Sequence, residues 1–252
     1  MPITFARQLT GPERSRRANR QLGWTLAFIA GATNAGAFLA VRQYTSHMTG
    51  IVSSLADALV LGQFELAGAA LGALLSFLTG AATSAMLINY ARRRQWKSQF
   101  ALPLLVEAGL LLLFGLIGAT LSAVHGLFVP ATVMLLCFMM GLQNAVITKV
   151  SRAEIRTTHV TGVVTDIGIE LGKLLYWNRL QTDPTQRVLA DRERLLVLTL
   201  IVGAFVLGGI AGAAGFQRLG YGTTIPLAVI LVMLASVPAA DDLRDYLARP
   251  EG

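Results

Sequence analysis

Charged residues are scarce in this sequence. Only 14% of the 252 residues are Asp, Glu, Lys or Arg, whereas 54% are hydrophobic. A soluble domain of this size needs far more surface charge, so the balance is typical of a polytopic membrane protein. Six apolar runs of about 17–25 residues are each long enough to cross a bilayer core about 30 Å thick. They cover residues 22–41, 66–90, 101–124, 129–147, 195–216 and 221–237.

Cysteine and the signatures of common enzymes are also nearly absent. The single cysteine, Cys137, excludes an intramolecular disulfide, and a packing role is its simplest interpretation. The sequence has no phosphate-binding loop, no G-x-S-x-G motif and no H-E-x-x-H zinc motif. We therefore expect no cofactor, no metal site and no enzymatic activity. An intramembrane enzyme that uses His47 or His159 with Asp166 stays a minor alternative, because no spacing requires it.

The positive charges, which give a net charge of +7, lie mostly just outside the apolar runs. Cytoplasmic loops of membrane proteins are enriched in Lys and Arg, so this distribution indicates membrane anchors rather than a nucleic-acid interface. If the chain crosses the membrane six times, the basic segments and both termini are cytoplasmic. If it crosses eight times, two of these segments lie outside. Six crossings are therefore predicted. The basic segments are residues 14–20, 92–97, 149–156 and 179–194.

Two similar polar motifs interrupt the apolar sequence. They read S-H-M-T-G at residues 46–50 and T-H-V-T-G at residues 158–162. Before the first motif, about seven extended residues could descend about 20 Å. The roughly 14 residues that follow it could climb back about 21 Å as a helix. We therefore predict two re-entrant half-helices, each of which starts near the middle of the membrane.

The two motifs belong to a longer internal repeat. In each half of the chain, a span interrupted by an amide (Asn34 or Asn144) precedes the motif, and two further spans follow it. Because three spans are an odd number, the second half must be inserted upside down. The predicted fold is an all-α polytopic membrane protein: six transmembrane helices in two inverted three-span repeats, each with a re-entrant half-helix. Its parts are a basic cytoplasmic segment (1–21), a first repeat (22–124), a second repeat (129–238) and a cytoplasmic tail (239–252).

The stretches LAFIAGATNAGAFLAV, YTSHMTG and GLQNAV…TTHVTG resemble the YoaK family, also known as DUF1275 or UPF0700. The resemblance extends over about residues 22–237. It implies a multi-pass protein of the bacterial inner membrane, and it implies fold and location rather than an activity. Many relatives place an acidic residue where Asn34 stands and Asn where Ile51 stands, and this chain departs from both patterns.

Candidate binding residues come from the two motifs and the two interrupted spans. A histidine within the membrane could titrate near neutrality, or it could simply hydrogen-bond a backbone carbonyl. Thr49 and Thr161 are predicted to cap the half-helices, whose N-termini would favour an anion or a carboxylate. These polar groups could instead serve only to hold the broken helices. The predicted substrate-binding set is Asn34, Ser46, His47, Thr49, Gly50, Gln143, Asn144, Thr158, His159, Thr161 and Gly162.

Two carboxylates at apparent membrane depth, Asp166 and Glu107, are the candidates for proton coupling. Asp166 shares a helix face with Glu170 at i+4, whereas Glu170 could pair with Lys173 at i+3. Glu107 stands early in its span and could equally be a pairing residue.

The leading prediction is a small transporter or channel for a small anionic or polar solute, with its site between the two half-helices. The alternative is a non-transporting scaffold or sensor that binds a protein partner. The expected partners are the lipid bilayer and a small-molecule solute, and nucleic acid is not expected. Helix faces rich in glycine would suit either a homodimer or tight packing within one monomer.

Overall fold

The computed structural model describes residues 16–96, 98–121, 125–150, 160–176 and 187–247, and these ranges are almost entirely helical. No strand occurs in them. The α-helices in these ranges are α1 (Arg16–Val41), α2 (Met48–Val60), α3 (Phe64–Arg93), α4 (Ala101–Leu121), α5 (His125–Val150), α6 (Val160–Leu175), α7 (Arg192–Leu219) and α8 (Thr224–Leu247).

Within the described ranges, five stretches are long and apolar enough to cross a membrane, so the predicted class of helical membrane protein is confirmed. The last of them, Arg192–Ser236, is 45 residues long. A straight helix of that length would measure about 68 Å, more than twice the thickness of a bilayer core. A 3₁₀ turn at Gly220–Thr223 interrupts it, and Gly220 has a φ of 57° that favours glycine. The break falls between the two spans predicted for this region. The other stretches are Arg20–Val41, Phe64–Arg93, Ala101–Thr120 and Val129–Lys149.

The closest contact between α1 and α7 is made by two F-x-x-G segments, at residues 28–31 and 205–208. A Cβ atom on Gly31 would overlap the main-chain carbonyl of Phe205, and one on Gly208 would overlap that of Phe28. The two backbones therefore meet at a distance that only glycine permits. Each glycine lies against the carbonyl of the phenylalanine that begins the other segment.

The helices α3 and α5 cross in the same manner. Their F-x-x-G segments are residues 77–80 and 138–141. A Cβ atom on Gly80 would overlap the carbonyl of Phe138, and one on Gly141 would overlap that of Phe77. The segment in α5 follows that in α1 by 110 residues, the same spacing that separates Asn34 from Asn144.

The main helix contacts of the two halves correspond to each other when α1, α2, α3 and α4 are matched in order with α5, α6, α7 and α8. Under this matching, the α1–α7 contact corresponds to the α5–α3 contact. The α2–α3 contact likewise corresponds to the α6–α7 contact. The α1–α5 and α4–α8 contacts each join two matched helices. Two contacts break the pattern: α4 packs against α5 and against α3, but the described chain has no substantial α8–α1 or α7–α8 contact. The two halves therefore pack against each other as near-equivalent units.

The direction of the helices follows from contacts along their length. Between α1 and α7, the contacts advance from the Arg20–Glu193 ion pair to Gly36 against the Phe216 ring, so the two helices run parallel. At the turn after α7, the ring of Tyr221 meets the ring of Phe114 on α4 edge-on, with centroids 5.6 Å apart. From this corner α8 runs back along α4, with which it forms much of the main apolar core.

We predict that Gly208→Ala in α7 and Gly80→Ala in α3 lower the stability by about 1–3 kcal/mol, because the added methyl group meets backbone that must move. Matched controls are Gly203→Ala in α7 and Gly68→Ala in α3, where nothing lies within 4 Å of a built Cβ atom. Thermal unfolding in detergent measures the difference. Equal melting temperatures for crossing and control variants would contradict the crossing geometry.

Candidate functional site

The chain reverses immediately after α1 and returns along it. Arg42 has a φ of 56°, and the ring of Tyr44 stacks on that of Phe38 with centroids 4.8 Å apart. Further along, Ser46 Oγ donates a hydrogen bond of 3.0 Å to Asn34 Oδ1. Asn34 lies about two turns before the end of α1, so the return covers about 10 Å. We call residues 42–47 the fold-back. It brings two of the predicted binding residues, Asn34 and Ser46, into direct contact.

The short helix predicted after the first motif is present as α2, and it begins beside the middle of α3 and α5. Its Ile51 is buried in an apolar cluster with Ala73 of α3 and Cys137 of α5. Cys137 lies at the midpoint of α5 and donates from Sγ to the carbonyl of Thr45 at 3.5 Å. The 13 residues of α2 span about 20 Å, so they return to the end of the bundle where α3 begins.

The prediction that Thr49 caps α2 is wrong. The N-cap residue is His47, whose carbonyl accepts from the N–H of Ile51 at 3.2 Å, and no side chain caps the helix start. The helix thus begins before Thr49, which lies exposed in the first turn. The imidazole of His47 packs over Gly50, where a Cβ atom would come within 2.6 Å of Nδ1. The start of α2 therefore presents N–H donors beside an exposed histidine.

The interrupted spans α1 and α5 are joined by a buried amide. Gln143 Nε2 donates to the carbonyl of Leu26 at 3.2 Å, while Gln143 Oε1 has no partner among the described residues. Thr33 Oγ1, on α1, is likewise buried without a hydrogen bond within these ranges. Asn144 is also buried, and its main-chain carbonyl accepts from Thr148 Oγ1 at 2.8 Å. The amides predicted for the two halves thus lie on helices that contact each other.

Of the second motif, Thr158 and His159 lie outside the described residues. Thr161 and Gly162 lie in the first turn of α6, and both are exposed. In the described chain α6 packs against α7 and α2 packs against α3, with no substantial contact between α2 and α6. That the two helix starts face each other across one site stays a prediction.

Charged groups attach α6 to the start of α7. Glu170 is buried, and its carboxylate accepts from Lys173 Nζ and from the main-chain N–H of Asp191, both at 2.8 Å. The hydrogen bond from Lys173, followed by that from Asp191, holds the pKa of Glu170 below its usual range. Asp166 pairs with Arg194 at 3.0 Å, and both of these side chains are substantially exposed. The Glu170–Lys173 pairing expected from their spacing is confirmed.

Comparison with known proteins gives a family. A family model described as a protein of unknown function, DUF1275, matches residues 22–237. The chain belongs to the DUF1275 family. The match includes both motifs and the helices that follow them, so the resemblance to DUF1275 inferred from the motifs is confirmed. No curated protein and no solved structure matches the chain.

This DUF1275 chain also buries polar side chains that lie outside the predicted binding set. The hydroxyl groups of Thr45 in the fold-back and Thr132 on α5 are fully buried and have no hydrogen-bond partner in the described ranges. The carboxyl group of Glu107 on α4 is also fully buried without a hydrogen-bond partner in these ranges. From the sequence, Glu107 was predicted as a candidate for proton coupling and not for substrate binding. Sequence gives a signal for Thr45, which directly precedes the first motif, but none that we recognise for Thr132.

We predict that Glu170→Gln loosens α6 of this DUF1275 protein at neutral pH. The lowered pKa of Glu170 means that its carboxylate stabilises the fold above its ordinary pKa of about 4.3, and that this stabilisation is lost as the pH falls through the lowered value. Amide hydrogen exchange in α6 should therefore be faster in the variant at about pH 7.5, and the difference from wild type should vanish as the pH falls through the lowered pKa of Glu170.

The matched control is Asp166→Asn, which removes an exposed ion pair on the same helix. Such pairs contribute about 0–1 kcal/mol, so α6 should exchange almost as in the wild type. Equal exchange rates in Glu170→Gln and wild type at neutral pH would contradict the role given to Glu170.

Proposed function

We propose that this DUF1275 protein is a small transporter or channel of the bacterial inner membrane that moves a small anionic or polar solute. The observation that carries the proposal is the fold-back, which leads into a helix that starts halfway along its neighbours. There, polar groups lie inside a bundle whose outer surface is apolar. Such discontinuous helices form the substrate sites of many transporters built from inverted repeats.

Six crossings in two inverted repeats are part of the proposal. The fold-back and α2 leave and re-enter the same end of the bundle, because α2 begins beside the middle of α3 and ends near its start. The near-equivalent packing of the two halves supports a repeat. With three crossings per half, the second half is inverted, and the basic segments together with both termini lie in the cytoplasm.

Unpartnered polar atoms support a hydrated passage near α1 and α5. Buried polar groups are normally hydrogen-bonded, and exceptions need a partner such as water or a ligand. Here the hydroxyl groups of Thr33, Thr45 and Thr132 and the Gln143 carbonyl lack partners among the described residues. Water or a solute at these positions would form hydrogen bonds with these groups. A core with a purely structural role could be filled by apolar side chains and would need no such partner.

The chemistry of the helix start indicates the class of solute. Uncapped N–H groups at the start of α2 and the imidazole of His47 offer hydrogen-bond donors, and the helix dipole adds partial positive charge. Asn34, Ser46 and Asn144 can both donate and accept. An anion or a polar solute with a carboxylate or carbonyl fits this set. The second motif, residues 158–162, would supply the equivalent groups from the other half.

We predict that liposomes containing the purified protein take up at least one of chloride, phosphate, glycine, glutamate, urea and glycerol faster than empty liposomes. His47→Ala and Ser46→Ala should lower that flux by about tenfold or more, equivalent to about 1.4 kcal/mol in the barrier. Labelled-solute uptake measures the flux, and thermal unfolding checks that each variant is folded.

The matched control is Ser236→Ala, at an exposed serine on α8 away from the fold-back. It should transport as the wild type does. Liposomes that stay closed to all six solutes would overturn the proposal and favour the scaffold or sensor alternative, for which co-purification of a protein partner is the test.

A further inference from the structure

Glu107 is an unusual residue in the core of this protein. It lies on α4, its side chain is completely buried, and neither carboxylate oxygen has a hydrogen-bond partner among the described residues. Its neighbours on the same helix, Leu104, Ala108 and Leu111, belong to the main apolar core. An ionised carboxylate in such surroundings is very costly unless a cation pairs with it.

Among the side chains that the structure describes in the elements packed against α4, no such cation lies against Glu107. On α3, the charged side chains of Glu65, Arg92 and Arg93 are exposed near the helix ends. On α5, Lys149 is exposed at the end of the helix, and Cys137 is turned towards the fold-back.

The remaining elements against α4 are the 3₁₀ turn and α8. The turn contributes Tyr221, which contacts Phe114 rather than hydrogen-bonding Glu107. Residues 224–236 of α8 contain no charged side chain. In this conformation Glu107 therefore holds a proton, because the neutral acid is the form that tolerates an apolar site.

Packing alone does not account for a glutamic acid at this position. A leucine or methionine of similar volume would fill the space without burying unpaired oxygens. Ionisable residues within membrane bundles commonly belong to proton pathways. Asp166, the other coupling candidate, is exposed and paired with Arg194 instead of being buried without a partner.

We propose that Glu107 is the proton-binding residue of this protein and that solute movement is coupled to one proton carried on its carboxylate. This inference rests on the proposed transport function. The carboxylate accepts the proton when α4 is open to one side of the membrane and releases it when α4 is open to the other. One proton per cycle is expected, because among the described residues Glu107 is the single carboxyl group that is buried without a hydrogen-bond partner.

The bound proton can be tested without any solute. Infrared spectra of the purified protein in H₂O and D₂O at about pH 7.5 should show the carbonyl stretch of a protonated carboxyl group with its deuterium shift, since an ordinary Glu is ionised there. Glu107→Gln should remove this band, whereas Glu170→Gln should keep it, because Glu170 is paired with Lys173. A spectrum without the band, or a band that survives in Glu107→Gln, would overturn the inference.

The coupling is tested in the liposome assay with the same six solutes, chloride, phosphate, glycine, glutamate, urea and glycerol, with and without a pH gradient. We expect a gradient to drive accumulation of a transported probe in the wild type. Glu107→Gln should lose this accumulation by about tenfold or more. Glu107→Asp, which restores the acid, should recover part of the accumulation, and this separates a lost proton site from a damaged fold.

The outcomes distinguish the two proposals. Flux that ignores the pH gradient in the wild type overturns the coupling and leaves the transport function standing. Absence of flux for every probe overturns transport and, with it, the coupling.

Discussion

Direct contact between helix backbones at two crossings is the constraint on which the rest of the structure depends. In lipid, apolar side chains gain little by leaving their surroundings, so helices associate through close van der Waals packing. The α1–α7 and α3–α5 crossings provide it, because each glycine lies against a carbonyl of the other helix. Once these pairs are set, α1 and α5 can meet, and Gln143 reaches the carbonyl of Leu26. The fold-back and the two short helices then pack on this frame.

The two short helices, α2 and α6, occupy equivalent positions in the two halves but bury different kinds of side chain. In α2 the buried residues are Ile51 and Ala58; in α6 they are Val163 and Glu170, at positions 112 residues later. The motif histidines are separated by the same number of residues. A methyl group in the first half is therefore replaced by a carboxylate in the second, and apolar contact is replaced by hydrogen bonds from a lysine and a backbone N–H. The equivalence of the two short helices therefore concerns their position in the repeat and not the charge that they bury.

Much of the helical layout could be predicted from the sequence, because the length of an apolar run is a direct response to the thickness of a bilayer. The predicted run at 66–90 became α3 from Phe64 to Arg93, and the break near Gly220 fell where the apolar pattern paused. The helix start at Met48 was not predictable, since it depends on the carbonyl of His47 rather than on the hydroxyl of Thr49. The lack of partners around Glu107 was also not predictable, because it depends on which faces of α3, α5 and α8 meet α4. The four F-x-x-G segments are a signal that was present, and their spacing of 110 residues between α1 and α5 could have identified them.

The first helix of each half packs against a helix of the other half, and this has a consequence for how the protein is made. During synthesis α1 leaves the ribosome well before α7, whose crossing segment follows about 175 residues later, or roughly 9–35 s at ordinary elongation rates. Throughout that interval the glycine face of α1 has no final partner, so assembly must occur within the membrane after insertion. In the proposed inverted repeat, the two halves have the arrangement that two half-length chains would reach as an antiparallel dimer, in which the first span of each chain packs against the other chain. Joining two such chains by a linker would make their association intramolecular, so that it would no longer depend on concentration.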